Sequence, residues 1–204
     1  MSELKDTYKT IDTPARGELF KDRGSKFYGY TYPISSEDEV KPIIEQLKKE
    51  HHTARHWCYA WQLGTDKIRY RANDDGEPSN SAGPPIYGQI QAFGVTNILV
   101  VVVRYFGGTK LGVGGLMNAN KTGSKLALEA SEILEKTIDR VFQINFQYKD
   151  MNKVMRIVKE KQLNITHQKL ELDCQYTIPV RKKNANQIFE LFTNLFGVAI
   201  KELD

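Results

Sequence analysis

The chain has 204 residues, 40% of them hydrophobic, which is enough for one large core or two small ones. Its formal charge of +4 is mildly basic, well short of the excess that a dedicated nucleic-acid-binding domain carries. No apolar run approaches the ~20 residues of a membrane span, and Met1 to Lys9 is charged rather than signal-like, so a cytoplasmic protein with no membrane partner is expected.

Met1 to Arg16 is polar, is broken by Pro14, and reads as a loose lead-in or an edge strand. Glu18 to Phe20 and Lys26 to Tyr32 interleave aromatic and polar residues as strands do, around a Gly24-Ser25 turn flanked by Lys21, Arg23 and Lys26. Ser35 and Ser36 with the acids that follow open a helix whose buried stripe is Val40, Ile43, Ile44 and Leu47, ending near His51-His52. Arg55 to Leu63 reads as a strand with His56, Cys58 and Ala60 on one face and Trp57, Tyr59 and Trp61 on the other. A second strand, Lys67 to Ala72, follows the Gly64-Thr65-Asp66 turn.

Asn73 to Ser79 has the residue types of a tight turn. Ser81 is placed to cap a helix that carries Pro84 and Pro85 in its first turn and stops at Gly94. Ile98 to Val103 is all branched aliphatic, the pattern of a strand buried on both faces. Arg104 to Gly115 then crowds glycine at 107, 108, 112, 114 and 115 before a helical pattern from Leu116 to about Glu135. So many glycines imply positive φ or close main-chain approach. They can shape an anion cradle at a helix N-terminus, with Arg104 and Lys110 beside it, or they can let a helix lie tightly on a sheet. The spacing fits neither the P-loop nor the dinucleotide-binding glycine motif.

From Ile138 the pattern restarts as strand, helix, strand, strand, helix, strand within 70 residues, the ferredoxin-like order. The helix there opens on Arg181-Lys182-Lys183, a basic run facing the wrong way for the helix dipole and so a candidate partner contact or a solvated surface. A domain boundary is expected near Lys136-Thr137, giving domains 1–136 and 137–204.

Three groups carry possible chemistry. His56 and Cys58 project from one strand face and are a conceivable nucleophilic pair, although two such residues serve equally as packing. Asp74, Asp75 and Glu77 suit a hard cation, an ion pair with Arg104 and Lys110, or turn formation alone. His51 and His52 read as helix-end residues, because the helix ends before His56 and breaks the geometry a metal pair needs. Cys58 and Cys174 form no Cys-x-x-Cys pair, so no structural disulfide or cysteine-rich zinc site is expected.

Asp74-Asp75-Gly76-Glu77-Pro78-Ser79, Ala82-Gly83, Pro85-Ile86 and Val101 to Gly112, with Ala54-Arg55-His56-Trp57-Cys58-Tyr59-Ala60 upstream, resemble the signature of the YigZ/IMPACT family over most of residues 15 to 135. The resemblance implies an α+β protein of two domains. The first is of the left-handed βαβ type found in a ribosomal small-subunit protein and elongation factor G, and the second is ferredoxin-like. Eukaryotic relatives regulate translation and carry a further N-terminal domain, for which this chain leaves no room. The expectation is therefore a regulator that binds RNA or the ribosome, or a translation-control protein. Its anion-binding residues are Arg104, Gly107, Gly108, Lys110, Gly112 and Gly114, supported by a face of His56, Cys58, Asp74, Asp75 and Glu77. No catalytic residue, cofactor or metal is assigned. The alternatives are a hydrolase acting on a peptide or small molecule through His56/Cys58 and Asp74/Asp75, and a protein-interaction module.

Overall fold

The computed structural model describes residues 6–203 and divides them into two compact units, Tyr8–Lys136 on one side and Asp6–Thr7 with residues 137–203 on the other.

The first unit is built on an antiparallel sheet. Its strands are β2 (Ala15–Arg16), β3 (Phe20–Asp22), β4 (Ser25–Pro33), β5 (His56–Leu63), β6 (Arg69–Asn73) and β7 (Ile98–Tyr105). They lie in the order β2-β4-β7-β5-β6, with β3 hairpinned onto β4. β7 is the central strand, and its residues from Ile98 to Arg104 are all buried, as the unbroken aliphatic run requires. Its two faces feed two cores. Ile98, Val100 and Val102 pack with Phe27, Cys58 and Ala60 beneath helices α2 (Gly83–Phe93) and α3 (Gly112–Glu129). Leu99, Val101 and Val103 pack with Tyr30, Trp61 and Leu63 under α1 (Val40–Glu50). The faces of β5 alternate as its sequence demands, with Cys58 and Ala60 in one core and Trp57, Tyr59 and Trp61 at the other.

α3 meets the sheet at backbone distance, because Gly29 of β4 lies under Gly123 and a Cβ on Gly29 would stand 2.1 Å from the Gly123 carbonyl oxygen. The helix differs from its sequence expectation at both ends. It begins at Gly112, so three glycines fall inside its first turn, and it stops at Glu129. Ser131 folds back there, its hydroxyl donating to the Ala127 carbonyl oxygen at 2.8 Å, and Ile133–Thr137 becomes strand β8. The partner of β8 is β1 (Thr7–Ile11), more than a hundred residues earlier, a pairing no local pattern reveals. Of the polar lead-in, residues 1–5 lie outside the described residues, while the rest supplies β1 and β2.

The second unit holds β9 (Asp139–Gln147), α4 (Met151–Glu160), β10 (His167–Lys169), β11 (Asp173–Arg181), α5 (Lys182–Thr193) and β12 (Val198–Leu203). Its sheet order is β10-β11-β9-β12, every pair antiparallel. Phe142, Ile144, Phe146, Tyr176 and Ile178 turn one sheet face into a core with Val154, Ile188 and Phe192 of the two helices. Arg181 at the head of α5 is held by Asp6, its Nε donating to Oδ2 at 2.6 Å. Among the described residues no helix is long and apolar enough to cross a membrane.

Candidate functional site

The two aspartates of the turn between β6 and α2 organise backbone. Asp74 Oδ1 accepts the N–H groups of Ala82 and Gly83 at 2.9 and 2.8 Å, and its Oδ2 accepts that of Asn80 at 2.9 Å. Asp74 therefore caps α2 from eight residues upstream, the task expected of Ser81, whose hydroxyl instead donates to the Pro78 carbonyl oxygen at 2.6 Å. Asp75 takes a left-handed conformation at φ 43° and its carboxylate accepts the Trp57 N–H at 2.7 Å. Its carbonyl oxygen accepts from His56 Nδ1 at 2.8 Å, so that in the neutral ring Nε2 is the unprotonated nitrogen. Among the described residues no cluster of three or more His, Cys, Asp or Glu side chains is placed to hold a metal.

Glu77 is buried, and its Oε1 accepts from Arg104 Nη1 at 2.6 Å while lying 3.9 Å from His56 Nε2. Arg104, at the end of β7, is 5% exposed, its guanidinium carbon 5.6 Å from the ring centres of both Phe27 and Phe106. Its Nε has no hydrogen-bond partner. The expected pairing of the acidic turn with the cations is thus made by Glu77 and Arg104. Lys110 is exposed and forms no ion pair among the described residues.

Cys58 faces away from solvent. It is wholly buried, its thiol donates to the Asp74 carbonyl oxygen at 3.0 Å, and burial, followed by the neighbouring carboxylates of Glu77, Asp75 and Asp74, pushes its pKa well up. A thiol so placed is the reverse of an activated nucleophile; its part in the site is to hold the turn.

A cavity of about 520 Å³ opens beside these groups. Arg55, Arg104 and Lys110 supply its cations, while His56 and Glu77 supply its acceptors. Phe106, Leu111, Val113 and Leu116 form an apolar wall. The first turn of α3, from Gly112, is part of the lining and has no side-chain cap, so its leading N–H groups remain available to an anion.

The predicted glycines divide by task. Gly112 lines the cavity at φ 73°, and Gly114 lies in the same first turn, where a Cβ would meet nothing within 4 Å. Gly107 is a packing residue. A Cβ there would stand 1.9 Å from the Gly24 carbonyl carbon, and its N–H donates to Ser25 Oγ at 3.2 Å. Gly108 is needed for its φ of 88°. One loop thus uses glycine in two ways, for close packing at Gly107 and for a helix start beside the cavity at Gly112 and Gly114.

Sequence reasoning missed Arg55, although its position beside His56 on the strand-entry segment was a signal. Phe106 was passed over as one aromatic in a glycine loop, yet it stands 38% exposed with the Arg55 guanidinium 5.4 Å from its ring centre. His51 is the helix-end residue its position suggests, the C-cap of α1, and it also sits among tyrosines, Nε2 2.6 Å from the Tyr30 hydroxyl and Nδ1 2.8 Å from that of Tyr105. Burial holds its pKa below the usual histidine value.

The molecule is therefore a two-unit α+β protein whose first unit places a buried arginine, an uncapped helix start and Glu77 of the acidic turn around one cavity. The Impact N-terminal domain family matches residues 23–128, which hold all of these features. The chain belongs to the IMPACT family. It is 29% identical over 189 residues to the IMPACT family member YvyE of Bacillus subtilis, covering 93% of this chain and 87% of that one. It is 30% identical over 161 residues to an IMPACT family member of Haemophilus influenzae, covering 78% of each. A crystal structure described as that of an hypothetical protein superposes with a TM-score of 0.70 at 24% identity over 98% of both chains, a likeness of fold.

Proposed function

We propose that this IMPACT family chain is a translation-related regulatory protein that engages the phosphate of RNA through the cavity at the start of α3. The observation that supports this most is the uncapped first turn of α3 opening into a cavity with three cations, Arg55, Arg104 and Lys110, against one carboxylate, Glu77. A helix N-terminus with flanking guanidinium and ammonium groups is an anion site by electrostatics alone. The association with translation follows the family resemblance, whose eukaryotic members regulate that process.

The residues have distinct tasks in this reading. Lys110, exposed, contacts phosphate directly, and Arg55, also exposed, adds positive charge from its place over the Phe106 ring. Arg104 is committed to Glu77 and contributes field and rigidity. Asp74 and Asp75 fix the turn that carries Glu77 and orients His56.

Fluorescence anisotropy with a short single-stranded RNA over a salt series tests it. Binding is expected to weaken as salt rises, and Lys110→Ala and Arg55→Ala should each lower affinity and reduce the slope of log K against log salt by about 0.7. RNA affinity unchanged in both variants overturns the assignment of the site, and no RNA affinity in the parent overturns the function.

A further inference from the structure

The chemistry of the cavity exceeds what a bare phosphate needs. His56 Nε2 and Glu77 Oε1 both line it 3.9 Å apart, and with Nδ1–H engaged by the Asp75 carbonyl oxygen the neutral tautomer of His56 presents Nε2 as an acceptor beside the carboxylate. Such a pair is satisfied by a hydroxyl donor. Phe106 is 38% exposed on the wall, with the Arg55 guanidinium 5.4 Å from its ring centre, so a planar group has both an aromatic ring and a guanidinium to pack on. The volume of about 520 Å³ suits a ligand of nucleotide size rather than an ion. The lining charges leave an excess of two positives, three cations against Glu77, which matches a phosphate monoester, about −2 near neutral pH, better than the single charge of a diester.

We propose that the cavity receives one ribonucleotide unit carrying a terminal phosphate. The phosphate meets the first-turn amides of α3 with Lys110, a sugar hydroxyl donates to His56 Nε2 or Glu77, and the base packs against Phe106 and Arg55. This rests on the reading of the cavity as the phosphate site and adds the class of ligand, whether the unit is a free mononucleotide or the phosphorylated end of an RNA.

Isothermal titration of the full chain tests it with AMP, adenosine, 2′,3′-dideoxy-AMP, inorganic phosphate, and one short RNA with either a 5′-phosphate or a 5′-hydroxyl. AMP is expected to bind, with adenosine and the dideoxy compound each about tenfold weaker, the worth of one good hydrogen bond or charge contact. Phe106→Ala, at a partly exposed position, should weaken AMP about tenfold while leaving inorganic phosphate unchanged, the parent melting profile being retained. Preference for the 5′-phosphorylated RNA over its 5′-hydroxyl form identifies an RNA end as the source, and AMP binding without that preference identifies a free nucleotide; both support the proposal. Equal affinity for AMP and inorganic phosphate overturns it while leaving an anion site. RNA binding that ignores the 5′-phosphate, is lost in Lys110→Ala and is not accompanied by AMP binding overturns the ribonucleotide proposal alone. RNA binding indifferent to Lys110 and Arg55 overturns the underlying reading of the cavity as well.

Discussion

Removing Glu77 tests the electrostatic logic of the site. Its carboxylate and the Arg104 guanidinium have side-chain exposures of 2% and 6% and meet at 2.6 Å, so neither charge has water as an alternative partner. Truncation of one member of a buried pair costs about 3–5 kcal/mol, because the surviving charge stays desolvated and uncompensated. Arg104 has few other recourses. Its Nη2 stands 3.5 Å from Ser25 Oγ, and its Nε is already unpartnered. Glu77→Ala should therefore lower unfolding free energy by about 3–5 kcal/mol in urea titrations followed by far-UV circular dichroism. The double variant Glu77→Leu/Arg104→Met should be far less damaged, within about 2 kcal/mol of the parent, since it buries no lone charge. A Glu77→Ala variant within about 1 kcal/mol of the parent would refute the picture of an obligate buried pair.

Gly107→Ala should destabilise by about 1–3 kcal/mol through collision with the Gly24 backbone, whereas Gly114→Ala, with open space around its Cβ, should be neutral or stabilising by up to about 1 kcal/mol; thermal melts of the pair distinguish packing from conformational freedom. Asp74→Ala should cost about 1–2 kcal/mol as the start of α2 loses its cap, read out by urea titration and by faster hydrogen exchange at Ala82 and Gly83. Because burial lowers the His51 pKa, its contribution to stability is complete above the unfolded value of 6.5 and is lost as pH falls through the lower folded value; His51→Gln should flatten the decline in urea midpoint between those two values. Tyr32, raised to about 12 by burial, contributes stability that is intact below pH 10 and lost toward pH 12, so its phenolate absorbance should appear late in an alkaline titration of the folded chain, and a Tyr32→Phe difference spectrum ionising near pH 10 would contradict this.

Much of this fold could be read from the sequence where the signal is local. The aliphatic run Ile98 to Val103 declared a two-face buried strand, the alternation in β5 sorted Cys58 from Trp57, and the restart at Ile138 gave the order of elements in the second unit. What escaped depends on distant partners. Ile133–Thr137 looks like the tail of a helix until β1 is known to lie beside it. The cap of α2 is a carboxylate eight residues before the helix, outside the window in which Ser81 is the natural choice. The candidate site was legible only in outline. The sequence singles out Arg104, Lys110 and the acidic turn, but their division into a buried pair, a free cation and a set of backbone clamps follows from burial, which spacing does not encode. Arg55 and Phe106 join the cavity only because the entry to β5 and the exit of β7 run side by side, the Arg55 N–H donating to the Arg104 carbonyl oxygen at 3.0 Å.

The most direct test of the central claim is amide mapping by two-dimensional NMR of the isotope-labelled chain titrated with single-stranded RNA. The account predicts that the largest shifts fall on Lys110, Gly112, Gly114 and Gly115, at the uncapped start of α3, and that they saturate together with Arg55 and Phe106. Shifts confined to the second unit, with the α3 amides unmoved at saturation, would contradict it.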